Sequence, residues 1–349
     1  MVAVPENLMA KIPANVTDEQ ASFVVVGAIG LQGIRLLKPT LGERIVVSGL
    51  GLIGLLTVQM LKAQGCQVLG IDFDRKKLDL AQSFGAETVN LADGQDPVAV
   101  AENWTGGEGV DGVIVTAATK SNELIHQAAT MCRKRGRIVL VGVIGLNLQR
   151  ADFYEKELTF QVACSYGPGR YDKNYESGGH DYPIGFVRWT EQRNFEAVLD
   201  LMESGALDTA SMVTHRFTLA DSPRPMELIS SRAPALGVLI EYPNERTDPE
   251  LASPLVELSK SKTSSSVQAI AFLGAGNYAS RFLIPAFKKT GAGLHTIVSQ
   301  GGVNASYNGK KHGFKNACTD EAVVMSDPNI DTVVIATRHD LHARQVVAA

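Results

Sequence analysis

Two glycine-rich turns constrain this chain more than any other feature: Gly49-Leu50-Gly51-Leu52-Ile53-Gly54 and Gly274-Ala275-Gly276-Asn277-Tyr278-Ala279. Each follows an apolar run and precedes a helical pattern. A Gly-x-Gly-x-x-Gly/Ala turn between strand and helix lets the backbone approach a pyrophosphate and aims a helix N-terminus at its charge. A lone match is weak, because such turns also serve plain packing, but the strand before and the helix after are present in both cases. The expected fold class is α/β, with two Rossmann-type doubly wound parallel sheets.

The rest of the pattern agrees. Thr17-Asp18-Glu19-Gln20 reads as a capping box opening a long apolar helix to about Leu37, ended by Pro39. Strands are predicted at Arg44 to Ser48, Gln67 to Ile71, near Thr88, at Val110 to Val115 and at Arg137 to Val141. Helices are predicted at Gly51 to Ala63, Arg75 to Phe84 and Asn122 to Met131. Such alternation calls for parallel strands with helical crossovers. The polar stretch Tyr166 to Tyr182 reads as a surface loop, followed by a helix from Thr190 to Met202. Strands near Met212 to Phe217 and Leu236 to Tyr242 flank a short helix at Pro225 to Ser231 and look like part of a sheet whose other strands lie outside this chain. Residues 243–266, rich in Pro, Glu, Ser and Lys, have linker composition. A second unit then alternates: strand Ala269 to Leu273, helix Tyr278 to Lys288, strand His295 to Val298, helix Asp320 to Met325 and strand Thr332 to Ala336. A helical pattern from Asp340 is still running at Ala349, which reads as a piece of a longer chain.

Composition excludes several classes. At 349 residues with a net charge of -4, nothing favours nucleic acid or an anionic membrane surface. Arg133-Lys134-Arg135 is the one compact basic cluster, and it precedes a predicted strand, so a solvated loop is expected rather than a binding patch. No apolar run reaches spanning length, and the start lacks the pattern of a signal peptide. The cysteines Cys66, Cys132, Cys164 and Cys318 are scattered without metal-ligand spacing; the first three are expected as buried thiols. A reducing cytoplasm fits.

In the first unit, an acidic residue about 20 positions after the glycines should accept the adenosine ribose hydroxyls. Asp72 stands there, at the end of its strand, where a carboxylate would also repel the extra phosphate of NADP; NAD is expected. The plainer reading has Asp72 cap the helix beginning near Asp74. Lys77 either lies along the adenine or is a solvated charge. From Val4-Pro5-Glu6-Asn7 through the Gly49–Gly54 turn, Ile71-Asp72 and Phe84-Gly85-Ala86 to His215-Arg216-Phe217 and Ala235-Leu236-Gly237-Val238, the chain resembles the medium-chain dehydrogenase/reductase family, the alcohol dehydrogenase-like group. The resemblance covers residues 2 to 242 and implies a remnant of a GroES-like catalytic domain ahead of the nucleotide fold. In zinc members, by the same resemblance, the last ligand would fall near Val25, which has no donor atom, and no Cys or His precedes Cys66. No metal is expected.

The closing unit resembles the N-terminal domain of the glucose-fructose oxidoreductase, inositol dehydrogenase and MocA family (Gfo/Idh/MocA). The residues carrying this are the Gly274 turn, Ser326-Asp327-Pro328-Asn329-Ile330-Asp331 and Ile335-Ala336-Thr337-Arg338-His339-Asp340-Leu341-His342. That family's proton-transfer lysine follows in a Glu-Lys-Pro motif that this sequence does not reach. Where Asp72 stands in the first unit, the second has Ser299, either a ribose contact or a turn residue, so NAD and NADP both remain open. His339 and His342 are expected at a helix start facing the cofactor cleft rather than on a metal.

The domains expected are thus 1–40, the end of the catalytic domain and the helix into the nucleotide fold; 41–165, the first Rossmann domain; 166–242, a return segment; 243–266, linker; and 267–349, the second Rossmann domain. The cofactor residues expected are Gly49, Leu50, Gly51, Leu52, Ile53, Gly54, Asp72, Lys77, Thr116 and Gly142 in the first unit. In the second they are Gly274, Gly276, Asn277, Tyr278, Ser299, Thr337 and His342. No catalytic residue is assigned. Chains joining both families resemble bacterial bi-domain oxidoreductases of polysaccharide and sugar-nucleotide metabolism, implying NAD(P)-dependent hydride transfer at an alcohol or carbonyl carbon of a sugar-derived substrate, with homo-oligomers compatible. The rival readings are a non-catalytic dinucleotide-binding module and a zinc-free quinone or enone reductase.

Overall fold

The computed structural model describes residues 4–231, 233–242, 253–259 and 268–349. The chain divides into two compact units, Met1–Tyr242 and Pro243–Ala349.

In the first unit six parallel strands form one sheet: β1 (Arg44–Ser48), β2 (Gln67–Asp72), β3 (Glu87–Asn90), β4 (Val110–Val115), β5 (Cys132–Leu140) and β6 (Thr159–Val162). Their spatial order is β3-β2-β1-β4-β5-β6, the doubly wound arrangement whose strand order reverses beside β1. β1 is central, and its Ile45, Val46 and Val47 are fully buried. Ile45 and Val47 join the core on one face, with the helices Val24–Leu37 and Leu52–Ala63, while Val46 joins Leu69 and Val113 on the other. A strand covered on both faces has no use for alternation, which explains its unbroken apolar run. Each such side chain stabilises the fold by about 1.5–3 kcal/mol.

Several expectations need correction. The predicted helix from Thr17 to Leu37 is two helices, Asp18–Ala21 and Val24–Leu37; the capping box of Thr17 and Gln20 is present, but the chain turns at Ser22 and Phe23. A crossover helix at Pro97–Trp104 was not predicted. Arg133-Lys134-Arg135 lies inside β5, not in a loop before it, and Arg133 pairs with Asp111 at 2.7 Å. The stretch Tyr166 to Tyr182 contains the short helix Lys173–Glu176 and a fully buried Tyr175. The Tyr175 hydroxyl donates to the Asn7 carbonyl at 3.2 Å and the Asn7 amide donates to the Tyr175 carbonyl at 2.7 Å, which pins the stretch down. β7 (Val213–Thr218) and β8 (Gly237–Glu241) pair with each other, in parallel, across the helix Pro223–Ser230.

The second unit is a five-stranded sheet of order β13-β10-β11-β12-β9. β10 (Ala269–Leu273), β11 (Gly293–Val298), β12 (Asn316–Cys318) and β13 (Thr332–Ile335) are parallel, and β9 (Leu255–Glu257) is antiparallel to β12. β9 falls inside the predicted linker, so 243–266 is not linker throughout; its residues 243–252 and 260–266 lie outside the described residues. β10 is buried on both faces, with Phe272 edge-on to Phe287 and Phe314 at 5.5 and 5.8 Å. The helix Val303–His312 and strand β12 were not predicted, and the helix after the glycine turn opens with wide turns over Ala279–Leu283 before Ile284–Lys289.

Candidate dinucleotide sites

β1 ends at Ser48 and the chain turns on Gly49, which takes a φ of +97° that side-chain-bearing residues avoid. A Cβ at Gly49 would stand 2.7 Å from the Ala117 backbone, and one at Gly54 would stand 2.0 Å from the Gly49 carbonyl oxygen. Both glycines therefore serve close packing of turn, helix and β4. Gly51 differs: a Cβ there would meet nothing within 4 Å. It is also the N-cap of the helix Leu52–Ala63, with no side-chain cap on the first-turn N–H groups. Leu50 is fully buried and plugs the core over Gly70, so it offers a ligand its backbone only.

Asp72 closes β2, and its Oδ2 accepts the Leu50 N–H at 2.7 Å. Its Oδ1 accepts from the N–H groups of Phe73 and Asp74, at 2.8 and 3.0 Å. The helix Arg75–Ser83 is capped by Asp74, whose Oδ1 accepts the Lys76 N–H, so capping is not the role of Asp72. Instead its carboxylate ties the end of β2 to the turn after β1. Lys77 Nζ lies 4.0 Å from Asp72 Oδ1, at the margin of the same place. Thr116 hydrogen-bonds the Gly49 carbonyl, which turns its hydroxyl onto the backbone beneath the turn. A Cβ at Gly142 would stand 2.1 Å from the Ala117 oxygen, so this glycine lets the loops after β4 and β5 touch.

The second turn repeats this geometry. Gly274 has φ +105°, a Cβ there would lie 2.5 Å from the Ala336 oxygen, and Gly276 again faces open space. Ala279, buried, stands where the first turn has Gly54. A cleft of about 920 Å³ opens here, its walls including Gly276, Asn277, Tyr278, Ser299, Glu321 and Thr337. Ser299 Oγ accepts the Ala305 N–H at 3.1 Å, tethering the start of the helix Val303–His312. The turn is held from that helix by Asn308, whose amide donates to the Ala275 carbonyl at 3.2 Å.

Across the cleft, Glu321 accepts from Arg344 and from Gln345, both at 2.6 Å, and Thr337 bonds Gln345. The His342 ring hydrogen-bonds the carbonyl of Thr337, a residue of the cleft wall, at 2.9 Å, and Leu341, Arg344 and Gln345 of the same helix line the cleft. His339 is exposed, its ring 5.1 Å from that of His342. Sequence reasoning did not single out Asn308, Glu321, Arg344 or Gln345.

Among the described residues, no three His, Cys, Asp or Glu side chains are grouped to hold a metal ion, and Val25 is a half-exposed valine. The donor set described does not fit zinc. Cys66, Cys132 and Cys318 are buried, and burial pushes the Cys132 thiol to about 12; Cys164, expected buried, is exposed. No helix of the described residues is long and apolar enough to cross a membrane.

Residues 53–177 match the model of the zinc-binding dehydrogenase family. Over that stretch the first unit is similar to zinc-type alcohol dehydrogenases. A zinc-type alcohol dehydrogenase-like protein of Escherichia coli K12 is 26% identical over 228 residues, covering 64% of this chain and 57% of its own. An erythritol/L-threitol dehydrogenase of Mycolicibacterium smegmatis is 28% identical over 234 residues, covering 66% and 58%. The structure of an alcohol dehydrogenase from Thermus sp. ATN1 superposes with a TM-score of 0.56 at 26% identity, covering 67% of this chain and 61% of that one. The chain thus spans less than two thirds of the length of these relatives.

Proposed function

We propose that this chain belongs to an NAD(P)-dependent dehydrogenase that moves hydride to or from an alcohol or carbonyl carbon of a sugar- or polyol-derived substrate. The observation that carries this is the pairing of Gly51, facing open space before an uncapped helix, with the Asp72 carboxylate at the end of the neighbouring strand. A pyrophosphate has room against Gly51, and the helix N-terminus favours its charge. Asp72 still has acceptor capacity for a ribose hydroxyl and repels a 2′-phosphate, so NAD is the cofactor of this site. The likeness to a polyol dehydrogenase supports the substrate class. The cofactor supplies the hydride chemistry; the turn, Asp72 and the loops after β4 and β5 bind and orient it. No step is assigned to zinc.

The second unit is proposed as another dinucleotide site of the Gfo/Idh/MocA kind, lying in the cleft beside Gly276 and taking NAD or NADP. Polysaccharide metabolism as the setting rests on that resemblance alone.

The test is calorimetric titration of the whole chain with NADH and NADPH, repeated on Gly51→Val. NADH is expected to bind the first site about 10-fold tighter than NADPH, and the valine to remove that binding. Unchanged NADH affinity in Gly51→Val and in Gly276→Val alike would overturn the dinucleotide reading.

A further inference from the structure

Between β6 and the helix Glu191–Glu203 the chain runs as a strap, residues 165–190. In its first part every second residue takes the left-handed backbone: Ser165 at φ +46°, Gly167 at +117°, Gly169 at +111° and Tyr171 at +69°. Serine and tyrosine avoid that conformation, and it persists only where surrounding contacts impose it. Here they are turn and side-chain bonds. The Tyr166 carbonyl accepts from the Asn194 amide at 2.9 Å, the Pro168 carbonyl accepts the Glu191 N–H at 2.8 Å, and Arg170 pairs with Glu176. Tyr175 is the buried plug already described, its ring stacked on that of Tyr182 at 5.4 Å. Among the described residues, no part of the strap pairs with a strand.

Glu191, at the far end of this strap, is fully buried, and neither oxygen of its carboxyl is hydrogen-bonded. It is the first residue of its helix, yet no N–H of that helix reaches the carboxyl. The charges acting on it are Glu176 and Arg170, both of the strap, and Arg170 is already engaged by Glu176. The phenols of Tyr166, Tyr175 and Tyr182, also of the strap, lie within its field. Nearby arginines are held elsewhere: Arg193 by Asp181, Arg35 by Asn194, and Arg188 against the Trp189 ring. Burial first, and Glu176 second, push the Glu191 carboxyl up to about 7, against the pull of Arg170. A carboxylate buried without a partner is costly, so once ionised it must gain water.

We propose that residues 165–190 form a proton-operated strap, closed while the Glu191 carboxyl holds its proton and opened when that proton is lost. The helix is not the part that yields, because its Phe195, Val198, Leu199 and Met202 belong to the main core of the unit. The strap has only turn and side-chain bonds to give up, and opening releases its left-handed backbone. The proton is kept in acid and lost as pH rises, so opening grows from about pH 6 towards about pH 8. β6 runs parallel to β1 through β5 and β4, so the strap leaves the sheet at the edge that carries the Gly49 turn and Asp72.

Hydrogen–deuterium exchange of the whole chain at pH 6 and pH 8, corrected for the intrinsic pH dependence of exchange, tests this. A carboxyl titrating near 4.5 when open and about 7 when closed makes opening about 10-fold more favourable at the higher pH. Protection of residues 165–182 should therefore fall about 10-fold, with protection of β1 unchanged. E191Q keeps the shape and stays neutral, and should remove the step. E191M, which buries no polar atom, should remove it too and serves where the amide disturbs folding. A step that persists in these variants, no step in the parent chain, or an equal step in β1 overturns the strap.

Discussion

The two glycine turns have the same shape and are held in opposite senses. At the second position of the first turn, Leu50 is gripped through its N–H by the Asp72 carboxylate; at the matching position of the second, Ala275 is gripped through its carbonyl by the Asn308 amide. One turn is steadied by a negative charge from the neighbouring strand, the other by a neutral donor from the next helix. The first turn therefore has a carboxylate bound to its backbone, and the second has a neutral amide.

The largest effect should come from the sixth position. Gly54→Ala puts a methyl 2.0 Å from the Gly49 oxygen and should cost the first unit about 3 kcal/mol or more, read as an earlier calorimetric transition. The second unit already carries an alanine there, so Ala279→Gly should cost only about 1 kcal/mol. Next, a Cβ added at Gly276, as in Gly276→Val, meets no protein atom within 4 Å. It should leave the melting of the second unit in place while weakening dinucleotide binding there about 100-fold, or about 2.7 kcal/mol by titration.

The units should also answer pH in opposite directions. Burial, with help from Glu176, pushes the Glu191 carboxyl in the first unit up to about 7, so the folded state holds a proton that the unfolded state releases from about pH 4.5. Stability of that unit falls as pH rises across this window, and Glu191→Gln should recover on the order of 2 kcal/mol at about pH 8 and little at about pH 5. In the second unit, burial outweighs nearby Asp327 and holds the His295 imidazole below its ordinary value. There the unfolded state takes up the proton first, and stability falls as pH drops below about 6.5. Two calorimetric transitions moving the same way with pH would break the comparison.

The smallest effect expected on binding is the most direct. Asp72→Ser gives the first turn the residue type of the second and should lower the NADH-to-NADPH affinity ratio about 10-fold, or about 1.4 kcal/mol. An unchanged ratio would mean that Asp72 acts only through the Leu50 N–H.

What could be read from the sequence was local. The turns, their flanking strands and the position of Asp72 follow from short-range pattern, and each lies where the pattern put it. The helix Pro97–Trp104 was also legible and overlooked: Asp96 caps it and Pro97 opens it. Other features had no local signal. The helix Val303–His312 contains Gly309, which is there because Leu258 presses against it from a distant part of the chain. Asn308, and the contacts of Glu321 with Arg344 and Gln345, join residues that nothing in sequence relates. His342 was assigned by resemblance, and its hydrogen bond to the Thr337 carbonyl was not legible in the sequence.

β9 looks minor, three exposed residues in a stretch of linker composition. Yet Leu255, Val256 and Glu257 register against Cys318, Ala317 and Asn316, the Pro254 carbonyl accepts the Thr319 N–H, and the Leu258 N–H donates to the Lys315 carbonyl. A version of the second unit cut to begin at residue 267, where its glycine-turn pattern starts, would bare the flank of β12 and invite pairing between molecules. One begun at residue 253 would bring its own cover. The span that folds cleanly is wider than the span that carries the motif.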